Sequence, residues 1–221
     1  VGYLHKLTGG AFWVVSADLL SSTLPGIAKY LGGKGEDYQY EREEYYYGED
    51  NRNSRILHGG GITEDANAGL ILGLGSAGFY TGVTTSYGAF QSLAHTHVRI
   101  ANGPADSKER EMRVPVQIGA FHASLWTGPD GVRTHADPQA LSTWRENFPY
   151  GSIITLTPID PNEIYPLLIA AYRKRPTVIV PFIARPDGVA FDREKLGFAP
   201  AEESARGGYI LRAPKKGKVH G

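Results

Sequence analysis

The 221-residue sequence contains no cysteine. A disulfide framework, a thiol nucleophile and a thiolate-based zinc site are therefore excluded. It also lacks net charge: 23 Lys and Arg balance 23 Asp and Glu, for a formal charge of zero. That balance argues against nucleic acid as the main partner, because phosphate binding draws on a basic surplus. No apolar run is long enough to span a bilayer, and no basic start leads into a signal-like apolar core. A soluble, cytoplasmic protein is the expectation. The single methionine is Met112 and the chain opens at Val1, while residues 206–218 form a basic, Gly/Pro-containing stretch like a linker. The chain therefore reads as a piece of a larger polypeptide.

What is present is globular. Hydrophobic residues make up 41% and charged residues 21%, an ordinary composition for a folded domain. The length allows one large domain or two small ones and a core that needs no staple. Phe12-Trp-Val-Val reads as a buried strand. Residues 29–56 are polar and Tyr-rich, a long loop of the kind that is functional or disordered. Ala66, Leu70 and Leu74 have helical spacing after Thr63, a plausible N-cap. Strands are expected at 79–84, 114–121, 153–157 and 177–183. Helical stripes are expected over 86–100 and 138–146, and again after Asp160-Pro161, where Ile164, Leu167, Leu168 and Ala171 face inward. Alternating strands and helices predict a three-layer α/β/α fold with a mostly parallel sheet. Ligands of such sheets bind beyond the carboxyl ends of the strands.

Several motifs stand on that frame. Gly73-Leu-Gly-Ser-Ala-Gly78 matches G-x-G-x-x-G, but helix precedes it and no carboxylate stands near residue 98. It reads as a helix end and a tight turn. His95 and His97 are two residues apart on a helix, so they do not share a face. They read as exposed or hydrogen-bonded histidines rather than metal ligands. Glu64 opens a helix after a Gly-rich turn; the helix dipole favours a carboxylate there, either as a simple cap or as part of a site. The run from His122 to His135, with Asp130 between, is the most site-like piece. It follows a strand and holds histidines that can move protons near neutral pH or hold an anion.

The succession Ser16-Ala-Asp-Leu-Leu-Ser-Ser22, Gly61-Ile-Thr-Glu64, Tyr87-Gly-Ala-Phe90 and Gly128-Pro-Asp-Gly-Val-Arg-Thr-His135 resembles the central, pyrimidine-binding domain of transketolase, over about residues 8–186. The resemblance implies a pyrimidine-binding domain over residues 1–190, then a linker over 191–221 towards a further domain. It implies thiamine diphosphate as cofactor. Glu64 would bond the aminopyrimidine ring nitrogen, Tyr87 and Phe90 would pack on the ring, and Asp18 would lie near the cofactor. His122, Asp130 and His135 would line the substrate channel, with His122 and His135 also taking part in catalysis. Ser22 and Arg185 would bind the substrate phosphate. The sequence departs from the family at Asp65, which replaces a histidine, and at Leu93, which replaces an aromatic.

No Gly-Asp-Gly motif occurs in the chain. The Mg²⁺ or Ca²⁺ and the diphosphate would therefore be held by a partner domain of the same or another subunit, in a homodimer or a heteromeric assembly. The activity implied is transfer of a two-carbon ketol unit between sugar phosphates. Alternatives are a pyruvate dehydrogenase E1-like decarboxylating component and a non-catalytic paired domain.

Overall fold

The structure, a computed structural model, describes residues 2–17, 46–102, 115–121, 139–183 and 188–214. Within them the order is α1 (Gly2–Leu7), β1 (Phe12–Ser16), α2 (Glu64–Ser76), β2 (Thr81–Tyr87), a 3₁₀ segment (Gly88–Ala94), α3 (His95–Asn102) and β3 (Val116–Phe121). There follow α4 (Ala140–Glu146), β4 (Ile153–Leu156), a 3₁₀ turn (Pro161–Glu163), α5 (Ile164–Lys174), β5 (Val178–Ile183), α6 (Arg193–Leu196) and a final 3₁₀ segment (Ala201–Arg206). The five strands form one sheet in the order β1-β2-β3-β5-β4. Every pairing is parallel.

The period of two along each strand divides the core between two faces. Trp13, Val15, Val116, Ile118, Val178, Val180 and Phe182 pack with Ala68, Ile71 and Leu72 of α2, Val98 of α3 and Trp144 of α4. Ile179 and Leu156 pack instead with Ala171 of α5, which Leu167 and Leu168 flank. Helices thus cover both faces, as an all-parallel sheet requires. The outer edge of β1 is covered too. Val14 N–H donates to Arg55 O at 2.9 Å and Leu57 N–H to Val14 O at 2.7 Å, which satisfies backbone groups that would otherwise invite another strand.

Two expected elements shift. β2 begins at Thr81, paired with Phe12, rather than at residue 79. Gly78 at φ +81° turns the chain after α2 and leaves Phe79 outside the sheet, 79% exposed. The strand then continues to Tyr87 through the buried run Thr84-Thr85-Ser86, whose polarity hides a central strand from pattern reading. The helix expected over 86–100 is a 3₁₀ segment followed by α3. Gln91 Nε2 donates to Ser86 O at 3.3 Å and to Gly119 O at 2.6 Å, pinning the tighter turn across the ends of β2 and β3. The helix expected from the spacing of Ala66, Leu70 and Leu74 is α2; Leu74 packs against the core, Ala66 and Leu70 are exposed, and Ala68, Ile71 and Leu72 face the sheet. The helix is apolar on both sides, so spacing alone could not choose the buried face.

Beyond β5, residues 188–214 are tied to α5 by one buried cluster. Asp160 caps the turn by accepting from Asn162 N–H at 2.7 Å, and Asn162 follows Pro161 in the expected start of this helical stretch. Arg193 Nη2 donates to Asp160 Oδ2 at 2.8 Å and to Glu163 Oε1 at 2.5 Å, and its Nη1 reaches Ala199 O and the Tyr209 hydroxyl. The Tyr209 hydroxyl also donates to Glu163, and Ile159 N–H donates to its other oxygen at 3.0 Å. Burial alone would raise the Glu163 carboxyl, but Tyr209, Ile159 N–H and Arg193 outweigh it and hold the group below its ordinary 4.5. A carboxyl lowered on folding stabilises the fold above its unfolded value, and that contribution fades as pH falls below about 4.5 towards the folded one. Arg193→Met, which strands two buried carboxylates, is expected to lower stability by about 3 kcal/mol at pH 7. Chemical denaturation measures this; an unchanged midpoint would show that the cluster adds nothing.

Candidate functional site

A parallel sheet puts the carboxyl ends of all its strands along one edge, and α2 runs back against β1 and β2, so its N-terminus arrives at that edge. Glu64 is the first residue of α2. Its side chain is buried, and Ser86 Oγ, near the end of β2, donates to its Oε1 at 2.8 Å. Ser86 is the one hydrogen-bond donor to this carboxylate among the described residues. Tyr87 follows directly and is also buried. Phe90 lies half-buried one turn on, in the 3₁₀ segment. The carboxylate is thus held in place by a neutral donor, with no ion pair to it among the described residues, in the first turn of a helix whose dipole favours its charge.

Thr63 occupies the N-cap position as expected, but its hydroxyl does not cap the helix. It donates back to Gly59 O at 3.1 Å and closes the Gly59-Gly-Gly loop onto α2. A Cβ at Gly59 would overlap the Asn67 side chain, so any larger residue there would have to displace it. Asn67 is fully buried one turn after Glu64, and among the described residues neither its Oδ1 nor its Nδ2 has a hydrogen-bond partner. An unmade pair of amide bonds in the interior is unfavourable.

The other expected site residues, Asp18, Ser22, His122, Asp130, His135 and Arg185, lie outside the described residues. In sequence, Asp18 and Ser22 follow β1, His122 to His135 follow β3 and Arg185 follows β5. Those strands are neighbours of β2 or of each other, and their carboxyl ends share the edge that carries Glu64. Ser86 and Asn67 were missed from sequence. Ser86 sits in a polar run that resembles a loop, and Asn67 looks like one polar residue in an apolar helix.

Two motifs resolve plainly. Gly73 to Gly78 ends α2 and turns the chain, with Ala77 N–H donating to Gly73 O and Gly78 N–H to Gly75 O. No strand precedes it, so it is not a dinucleotide loop. His95, expected to be exposed or hydrogen-bonded, is neither: its ring meets Trp144 at 4.4 Å and Phe148 at 5.1 Å, and its buried Nε2 has no partner. His97 packs instead beside Gly69. Burial, and then the charge of Arg99, lower the His95 pKa below 6.5. Among the described residues no three His, Asp or Glu side chains converge to hold a metal ion, and no helix is long and apolar enough to cross a membrane. An open cavity of about 560 Å³ between Phe191, Phe198 and Glu202 contains none of the candidate residues.

Solved structures give the class of this architecture. A transketolase from Pichia stipitis in complex with sedoheptulose 7-phosphate superposes at a TM-score of 0.64 and 20% identity, over 93% of this chain and 27% of that one. Transketolase from Campylobacter jejuni gives 0.58 at 18% identity, over 86% and 25%. Transketolase from Leishmania mexicana gives 0.57 at 22%, over 79% and 22%. The chain therefore has a transketolase-like α/β fold and spans about a quarter of the length of the transketolases it matches. No family model and no curated protein matches the sequence.

Two measurements follow. Asn67→Leu is expected to leave stability unchanged or raise it by about 1 kcal/mol, since it removes two unmade hydrogen bonds at similar volume; a loss of that size in a denaturation curve would reveal a partner for the amide. Because partial burial and Arg99 lower the His95 pKa, native stability should fall as pH drops below 6.5, and His95→Phe should flatten that part of the profile. A slope unaltered by the substitution would place the titration elsewhere.

Proposed function

We propose that this chain is the pyrimidine-binding domain of a thiamine diphosphate-dependent transferase that moves a two-carbon ketol unit between sugar phosphates. One observation supports this above the rest: a buried carboxylate, Glu64, is held by Ser86 at the carboxyl edge of a transketolase-like sheet, beside Tyr87. The residues present fit the cofactor's ring end. The carboxylate has one oxygen engaged by Ser86 and no second hydrogen-bond donor among the described residues, and two aromatics stand at the end of the same strand.

Thiamine diphosphate, when bound, would supply a nucleophilic thiazolium carbon and a sink for an electron pair. Glu64 would hold the pyrimidine ring nitrogen and share a proton with it, which would raise the basicity of the ring's amino group. Ser86 keeps the Glu64 carboxylate oriented for this exchange. Tyr87 and Phe90 offer flat apolar surface to the ring and keep water from the carboxylate. In this reading Asp18 lies near the cofactor, and His122, Asp130 and His135 bind the hydroxyls and reacting end of the sugar. The two histidines serve as proton carriers near neutral pH, and Ser22 and Arg185 bind the substrate phosphate. The diphosphate and its Mg²⁺ or Ca²⁺ belong to a partner domain.

In the assembled enzyme, Glu64→Gln is expected to lower kcat by at least about a hundredfold, because the amide cannot carry the proton. Ser86→Ala should lower it by about tenfold, the loss of one hydrogen bond to a charged group. Product analysis with xylulose 5-phosphate and an aldose phosphate, against pyruvate, tests the reaction. Ketol transfer supports the proposal; carbon dioxide from pyruvate with no ketol transfer, or full activity in Glu64→Gln, would overturn it.

A further inference from the structure

The carboxyl edge of the sheet carries a second hollow. Glu64 and Ser86 belong to its β1–β2 side, whereas β5 and β4 stand at the other end of the strand order. Asn162 lies in the turn between β4 and α5, and residues 191–202 follow β5. The chain leaving these two strands frames the open cavity of about 560 Å³. Ligands of parallel sheets collect at this edge, and the volume falls within the range of roughly 300–1,000 Å³ usual for a small-molecule site.

The lining selects the occupant. Phe191 and Phe198, both half-buried, meet edge to face with centroids 5.8 Å apart and planes at 78°. Two rings at nearly right angles make an apolar corner, which Pro200 extends. The free charges are of one sign. Arg193 reaches the cavity, but its guanidinium is occupied by Asp160, Glu163, Ala199 O and the Tyr209 hydroxyl. Glu194 and Glu202 also line it and are exposed, and among the described residues neither carboxylate has an ion-pair partner. The neighbouring Glu203, by contrast, is paired with Arg206 at 2.9 Å. An anion placed here would meet two uncompensated carboxylates. A cation on an apolar body fits both features, since aromatic rings attract cations across their faces and the carboxylates add a screened attraction. We propose that this cavity binds a small organic cation, an ammonium group carried on an apolar body, with its charge towards Glu194 and Glu202 and its body in the Phe191–Phe198 corner. The inference rests on the lining and does not depend on the proposed chemistry.

Titrating the ¹⁵N-labelled full chain with phenethylammonium chloride and following the amide NMR shifts reads both the binding and its place. Saturating shifts centred on residues 191–202 are expected, with a Kd of about 1 mM or below. Phenethyl alcohol, the same shape without the charge, should bind at least about fivefold more weakly, and phenylacetate should not saturate. The double variant Glu194→Gln with Glu202→Gln, at exposed positions outside the Arg193 cluster, should weaken the cation about fivefold and leave the alcohol unchanged. Phe198→Leu, which keeps an apolar wall without a ring, should weaken the cation about threefold. The proposal is overturned by shifts that do not saturate up to about 10 mM or that centre elsewhere. It is overturned equally by phenylacetate binding as well as the cation, or by a double variant that binds the cation at native strength.

Discussion

The hydrogen bond from Ser86 to Glu64 joins the two parts of the molecule that matter most. One partner stands near the end of an interior strand of the sheet, the other begins the helix packed on that strand. A carboxylate buried without a cation is unfavourable unless its environment supplies donors and dipoles. Here the Ser86 hydroxyl and the first turn of α2 do so. The arrangement demands that β2 run to Tyr87, that α2 start at Glu64 and that the Gly59 loop fold closely over Asn67. Disturbing any one of these would move the carboxylate relative to Tyr87.

The layered plan was legible because it rests on coarse signals. Apolar runs such as Phe12–Val15 and Val178–Ile183, alternating with helical stripes, specify a parallel sheet covered on both sides. Asp160-Pro161 announced the start of the helical stretch that becomes α5, and the glycines after Leu72 announced the end of α2. What escaped was decided by tertiary contact. The run Thr84-Thr85-Ser86 becomes strand only because neighbours on both sides saturate its backbone. The 3₁₀ turn at Gly88–Ala94 depends on Gln91 reaching across to β3. The buried side of α2 could not be read from spacing, since both sides are apolar. Of the candidate site, Glu64 and the two aromatics stood out by residue type and order, whereas Ser86 and Asn67 gained meaning only from where the chain puts them.

Polar groups in the interior divide into two kinds. The Arg193 cluster is fully connected: every charge has a partner, and it fastens residues 188–214 to α5. Elsewhere the accounting is looser: Asn67, His95, Asn102 and the indoles of Trp13 and Trp144 each keep a buried polar atom without a hydrogen-bond partner among the described residues.

The central claim is that Glu64 governs proton transfer at a bound cofactor, and hydrogen–deuterium exchange at the thiazolium carbon reads that step without any substrate. With thiamine diphosphate and Mg²⁺ bound to the assembled protein, quenched-flow exchange followed by proton NMR should be fast in the native enzyme. It should be slower by about two orders of magnitude or more in Glu64→Gln. Equal exchange rates in the two proteins, with the cofactor bound in both, would contradict the account.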